Sequence, residues 1–226
     1  MNKNLKKLIL SFGIIYLIYL LITFTGVFRI YKSPTVANEP NLEVNKTFYA
    51  SNLITPKRGE FICYEREDNL VGKHTRVHRL IAMENDVLEI KDGVVLVNGK
   101  NIDESTDLIF IYVLTKQEFE NNINKIKLTD KNQMYKVDEN KLHINLEVSL
   151  AKKIGLNDKR LITEVGKPDE RISKLYHRKW NKDNFGPLKI SSGKVFVLGD
   201  NRDNSEDSRY IGLIDYNDIK GVVIDN

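Results

Sequence analysis

Hydrophobic and polar positions along the chain fall into three textures. From Leu8 to Phe28 no residue is charged, and Leu, Ile, Phe, Tyr and Val dominate. At about 1.5 Å per residue, such a run can cross a hydrocarbon core of roughly 30 Å. It predicts one membrane-spanning helix, with residues 1–28 forming a lysine-rich tip and anchor. Lys3, Lys6 and Lys7 precede it and favour a cytoplasmic N-terminus. Residues after Arg29 would then lie outside the cytoplasm. A cleaved signal peptide is the competing reading. Against it, the run exceeds the roughly 7–15 apolar residues of such peptides and lacks a small-x-small exit.

The second texture is short strand-like runs divided by turns. Tyr31–Leu42 holds Pro34 and Pro40 among small residues and reads as an extended loop. Glu60–Tyr64 and Arg76–Ile81 read as strands. Asp86–Ile90 and Val94–Val97 flank Lys91-Asp92-Gly93, whose Asp-Gly suits the positive φ of a hairpin turn. Val195–Leu198 is β-branched and aromatic, as a buried strand requires. Trp180–Leu188 reads as a packed loop leading to it. The pattern predicts a mostly β domain over residues 29–226.

The third texture interrupts it at about residues 103–174. Gln117–Lys127 and Leu146–Ile154 have helical spacing, with Phe119, Ile123, Ile126 and Leu128 on one side of the first. This predicts an inserted α/β subdomain. His143 and His177 are isolated within and beside it and read as surface or packing residues. No metal-ligand spacing appears, and no cofactor is implied.

Charge narrows the function only slightly. The formal net charge of +4 is mild for 226 residues and shows no concentrated basic face, which argues against nucleic-acid binding. The single cysteine, Cys63, excludes an intramolecular disulfide. It sits in a strand-like run and reads as a small buried hydrophobe rather than a nucleophile.

The run that buried-strand logic does not explain is Gly199-Asp200-Asn201-Arg202-Asp203-Asn204-Ser205-Glu206-Asp207-Ser208-Arg209-Tyr210-Ile211-Gly212. A plain turn needs only a few such polar residues. The run closely resembles the last box of the type I signal peptidases, Gly-Asp-Asn-x-x-x-Ser-x-Asp-Ser-Arg-x-x-Gly. These are membrane-anchored serine proteases with a mostly β domain, and they remove signal peptides from secretory pre-proteins. Other boxes precede it, in the family's order along the chain. Lys57-Arg58-Gly59-Glu60-Phe61-Ile62 resembles the family's Arg-Gly-Asp-Ile-Val strand box. Pro34-Thr35-Val36-Ala37-Asn38-Glu39-Pro40-Asn41-Leu42 aligns without gaps with Pro-Ser-x-Ser-Met-x-Pro-Thr-Leu. His78-Arg79-Leu80-Ile81-Ala82 aligns with Lys-Arg-Val-Ile-Gly.

The resemblance implies a role for each matching position. The attacking serine falls on Ala37, whose methyl group cannot attack a carbonyl. Thr35 falls on the hydroxyl that helps bind the oxyanion. The general base falls on His78, a residue able to take a proton near neutral pH. Ser205 falls on the serine that hydrogen-bonds the base, and Asp207 with Arg209 on a supporting ion pair. Asp207 or Asp200 could orient a histidine base. Arg202 and Asp203 shape the loop. Thr35 and Ser33 are alternative nucleophiles. Asn38, Asn41 and Asn45-Lys46 also depart from the family pattern, which favours drift over a single designed change. The resemblance implies signal peptides and membrane lipid as partners. Three functions follow: a signal peptidase homologue, a silent peptide-binding protein, or a membrane-anchored subunit of a secretion or surface assembly. Under the first, Ala37→Ser is expected to raise activity.

Overall fold

A computed structural model describes residues 2–68, 71–126 and 134–225 of the chain. Helix α1 spans Lys3–Thr25 with none of its residues buried, long and apolar enough to cross a membrane. Its threonine hydroxyls are satisfied within the helix: Thr23 Oγ1 donates to the Tyr19 carbonyl at 2.7 Å and Thr25 Oγ1 to the Leu21 carbonyl at 2.6 Å. Such back-bonding leaves little polar cost on an apolar exterior. Gly26 ends the helix in the left-handed region at φ 69°.

The strands follow as β1 (Arg29–Lys32), β2 (Thr47–Ser51), β3 (Phe61–Asp68), β4 (Gly72–Ala82), β5 (Val87–Lys91), β6 (Val94–Val97) and β7 (Lys100–Asn101). Next come β8 (Ile109–Thr115), α2 (Lys116–Asn122), β9 (Met134–Lys136), β10 (Lys141–Glu147), α3 (Val148–Lys153) and α4 (Glu170–Tyr176). The chain closes with β11 (Phe185–Lys189), β12 (Lys194–Leu198), α5 (Ser208–Ile211), β13 (Ile214–Asp215) and β14 (Ile219–Asp225). The fold is mostly β, as the run of short apolar segments predicts.

Three sheets form. A seven-stranded sheet runs β1-β2-β14-β3-β4-β12-β13, a four-stranded sheet β11-β5-β6-β7, and a three-stranded sheet β8-β10-β9. Alternation along β3 divides the large sheet's burial. Ile62 and Tyr64 join Leu80, Val195, Val197 and Val222 in one cluster, while Phe61 and Cys63 join Leu42, Phe48 and Ala50 in another. Residues of β8, α2, β10 and α3 pack a separate cluster around Phe110, Leu114, Ile144 and Leu146.

Several local readings need correction. Tyr31–Leu42 is not extended throughout: Val36–Asn38 forms a 3-10 turn, with the Thr35 side chain at its N-cap accepting the Ala37 N–H. The helix read over Gln117–Lys127 is shorter, and Lys127 and Leu128 lie outside the described residues. Its start is set by a capping box between Thr115 and Glu118. Leu146 belongs to β10, and the helix begins at Val148. Phe185–Leu188, read as loop, is strand paired with β5. Gly186 permits that pairing, since a Cβ there would sit 2.6 Å from the Leu88 carbonyl oxygen.

Candidate active site

The predicted chemistry gathers where the turn after β1, the β3–β4 pair and the loop after β12 meet. A cleft of about 410 Å³ opens there, lined among others by Thr35, Ala37, Arg76, His78, Asn204 and Glu206. Sequence separation is no guide to this convergence, since β4 pairs with both β3 and the distant β12 in the large sheet.

The Ala37 turn is pinned from both sides. The Ala37 carbonyl accepts the Asn201 N–H at 3.0 Å. Asn38 Nδ2 donates to the Val77 carbonyl at 2.8 Å, beside His78. Asn41 Nδ2 donates to Asp200 Oδ2 at 2.8 Å and to the Asp107 carbonyl at 2.7 Å. The asparagines that depart from the family box therefore tie this turn to β4 and to the closing loop. Ser33 is buried, and its Oγ donates to the Thr35 carbonyl at 3.3 Å. Thr35 is exposed on the cleft, with its Oγ1 3.5 Å from the Ala37 amide nitrogen.

His78 is 3% exposed. Burial is the main effect on its ring and pushes the pKa down to about 4, against the opposing pull of Asp207. Its Nδ1 lies 2.8 Å from the Tyr64 hydroxyl. Tyr64 was not singled out by the sequence. Register explains the contact: Ile62 faces His78 across β3–β4, and Tyr64 is two residues further on the same face.

The closing loop is almost wholly engaged with itself and its neighbours. Arg209 makes a buried ion pair with Asp207, Nη2 to Oδ2 at 2.8 Å and Nε to Oδ1 at 2.9 Å. Asp207 also accepts the Gly199 and Arg209 backbone N–H groups at 3.1 and 3.2 Å. Burial is the largest single effect and opposes its charge, yet the Arg209 guanidinium, His78 and the Gly199 N–H together hold the carboxyl below its usual range. Asp200 is gripped by Arg79, whose Nε donates to Oδ1 at 2.8 Å. Neither carboxylate hydrogen-bonds His78 among the described residues; Tyr64 does. Arg202 pairs with Asp103 at 2.6 Å and Lys182 with Asp203. Ser205 is buried, and its Oγ has no hydrogen-bond partner among the described residues. Gly199 is required by close approach, since a Cβ there would collide with Ser205 Oγ and the Ala37 carbonyl.

Three other candidates lie apart or are quiet. His143 is half-buried on β10, and His177 is exposed at the end of α4 with φ 54°. Cys63 is fully buried, and burial pushes its thiol up to about 12, which keeps it protonated.

Comparison with known proteins settles the family. Residues 5–224 match the family described as signal peptidase, peptidase S26. The chain belongs to the signal peptidase family. It is 27% identical over 193 residues to signal peptidase I P of Bacillus subtilis subsp. natto, covering 83% of this chain and 67% of that one. It is 26% identical over 193 residues to signal peptidase I of Buchnera aphidicola, covering 79% of this chain and 59% of that one. A third similar relative is signal peptidase I of Aquifex aeolicus, 27% identical over 206 residues and covering 84% and 72% of the two chains. The chain thus spans 67% and 59% of the first two relatives' own lengths. A crystal structure of a signal peptidase I from Enterococcus faecalis covers 76% of this chain and 98% of its own at 18% identity, with a TM-score of 0.36.

Within this signal peptidase family member, Ala37 and His78 line one cleft, and no serine hydroxyl stands at position 37. The cleft presents hydrogen-bonding groups beside apolar ones.

Proposed function

We propose that this protein is a membrane-anchored signal peptidase homologue that holds signal-peptide segments of secretory pre-proteins in the Ala37–His78 cleft without cutting them. The observation that carries the reading is Ala37: an alkyl group occupies the nucleophile position, while the turn around it stays pinned to β4 and to the closing loop. Family membership supports signal peptides as the ligand class. Thr35 retains a hydroxyl that can donate to a bound carbonyl. The domain after Arg29 lies on the extracytoplasmic side, in keeping with the lysines before α1.

The test uses the full chain purified in detergent with a labelled pre-protein bearing an Ala-x-Ala site. Binding without product is expected. Robust cleavage abolished by Thr35→Val would overturn the reading and favour a displaced nucleophile, because Thr35 shares the cleft with His78. Protease added to spheroplasts is expected to digest the domain; its protection would overturn the topology.

A further inference from the structure

Tyr64 gives His78 a role that the family boxes do not assign. The Tyr64 side chain is fully buried, and burial pushes its phenol up, so it carries its hydrogen. Among the described residues, the only acceptor near that hydrogen is His78 Nδ1 at 2.8 Å. If Nδ1 carried the ring hydrogen instead, the phenol hydrogen would be buried with no acceptor. Leaving a buried donor unmade costs enough to shift a tautomer ratio roughly ten- to hundredfold. The neutral ring then carries its hydrogen on Nε2. No described protein group hydrogen-bonds Nε2, and His78 is among the residues that line the cleft. Asp207 cannot reverse this preference, because Arg209 and two backbone N–H groups occupy both its oxygens.

We propose that Tyr64 holds His78 as the Nε2–H tautomer, so that His78 donates a hydrogen bond into the cleft, to a carbonyl oxygen of an extended peptide, and has no lone pair there to take a proton. The proposal rests on the peptide-holding reading for its ligand, but not for the tautomer. In a serine-protease triad the histidine is oriented the other way, with its Nδ1–H on a carboxylate and its Nε2 lone pair on the serine. Here a phenol donates where that carboxylate would accept. Tyr64 is a positioning residue, and it makes this histidine a donor rather than a base. A serine restored at position 37 would therefore share the cleft with an N–H rather than a lone pair.

The direct test is nitrogen-15 NMR of the His78 ring in the full chain in detergent, without peptide. The expected spectrum shows protonated Nε2 and unprotonated Nδ1; a protonated Nδ1 would overturn the proposal. Tyr64→Phe is expected to shift the ring toward a mixture of tautomers, and an unchanged spectrum in that variant would also overturn it. Should Tyr64→Phe not fold, the unmodified spectrum decides alone. Ala37→Ser combined with Tyr64→Phe is expected to cleave pre-protein at least about tenfold faster than Ala37→Ser. Equal or slower cleavage by a folded double variant would count against the tautomer block.

The ligand half has its own readout. His78→Gln keeps an N–H donor and is expected to bind the pre-protein peptide within about threefold of the unmodified chain, whereas His78→Ala loses about tenfold. Equal binding by both variants would overturn the donor role. Absence of binding by the unmodified chain, with the Nε2–H spectrum intact, would overturn the peptide-holding function and leave the Tyr64 assignment standing.

Discussion

The closing loop, residues 199–212, and the turn carrying Ala37 sit against each other, yet they differ in what their polar groups do. In the closing loop nearly every charge is spent on another charge: Asp207 on Arg209, Asp200 on Arg79, Arg202 on Asp103, and Lys182 on Asp203. In the Ala37 turn the bonds are fewer and mostly to backbone, through Asn38, Asn41 and Ser33. The loop that matches its family box residue for residue is thus a frame. The turn that carries Ala37 instead borders the cleft it shares with His78. A match in the frame speaks for the fold and says little about turnover.

That contrast is most sharply broken by removing one half of the buried Asp207–Arg209 pair. Both side chains are nearly inaccessible, at 0% and 2%. Asp207→Asn leaves the guanidinium uncompensated and the Gly199 N–H with a weaker acceptor. The expected loss is about 3–5 kcal/mol of stability, read as a lower urea midpoint for the full chain in detergent. A loss below about 1 kcal/mol would mean that the loop is not the frame described.

The second contrast is between the frame's charges and the uncharged His78 they surround. His78 has a folded-state pKa depressed from 6.5 to about 4, so the unfolded chain binds the extra proton. Stability from the neutral ring is present in full above about pH 6.5 and is lost as pH falls toward 4. Groups acting on the ring are Asp207 and Glu206, which favour its charge, and Arg76 and Arg209, which oppose it. Between pH 7 and pH 5 the expected loss is about 2 kcal/mol. His78→Gln cannot titrate, so its urea midpoint is expected to fall less over the same interval. Parallel profiles for the two chains would show that His78 is not buried in its neutral form.

Much of this arrangement was legible in the chain, and the illegible part has a physical reason. The apolar run before Arg29, the Asp92-Gly93 hairpin and the box after Leu198 are local signals, and each has its element at or near the place read. Tyr64 was not legible. It lay inside a run read as strand, and so did His78, but only the pairing of Ile62 with His78 puts the two rings on one face, 5.9 Å apart. Register depends on the whole sheet and not on either run. Phe185–Leu188 was missed for a related reason: its Gly-Pro reads as a turn locally, and the partner strand β5 lies far away in sequence. The 3-10 turn at Val36–Asn38 was hidden because contacts with β4 and the closing loop, far away in sequence, hold it.

The smallest expected effects lie within the Ala37 turn itself and rank its two side-chain anchors. Asn38 is 1% exposed and donates at 2.8 Å to the Val77 carbonyl. Asn38→Ala removes that bond and leaves a carbonyl beside His78 without its side-chain donor, for a cost of about 1–2 kcal/mol. Thr35 is exposed, and its cap to the Ala37 amide is long at 3.5 Å. Thr35→Val keeps the shape and removes only that weak acceptor, for about 0.5 kcal/mol or less. The pair separates anchoring from chemistry, because both variants leave position 37 and His78 unchanged. Urea midpoints should fall further for Asn38→Ala than for Thr35→Val, while Thr35→Val should weaken peptide binding out of proportion to its small structural cost, since Thr35 lines the cleft. The reverse order of midpoints would make Thr35 the anchor of the turn and remove it from the list of groups free to meet a ligand.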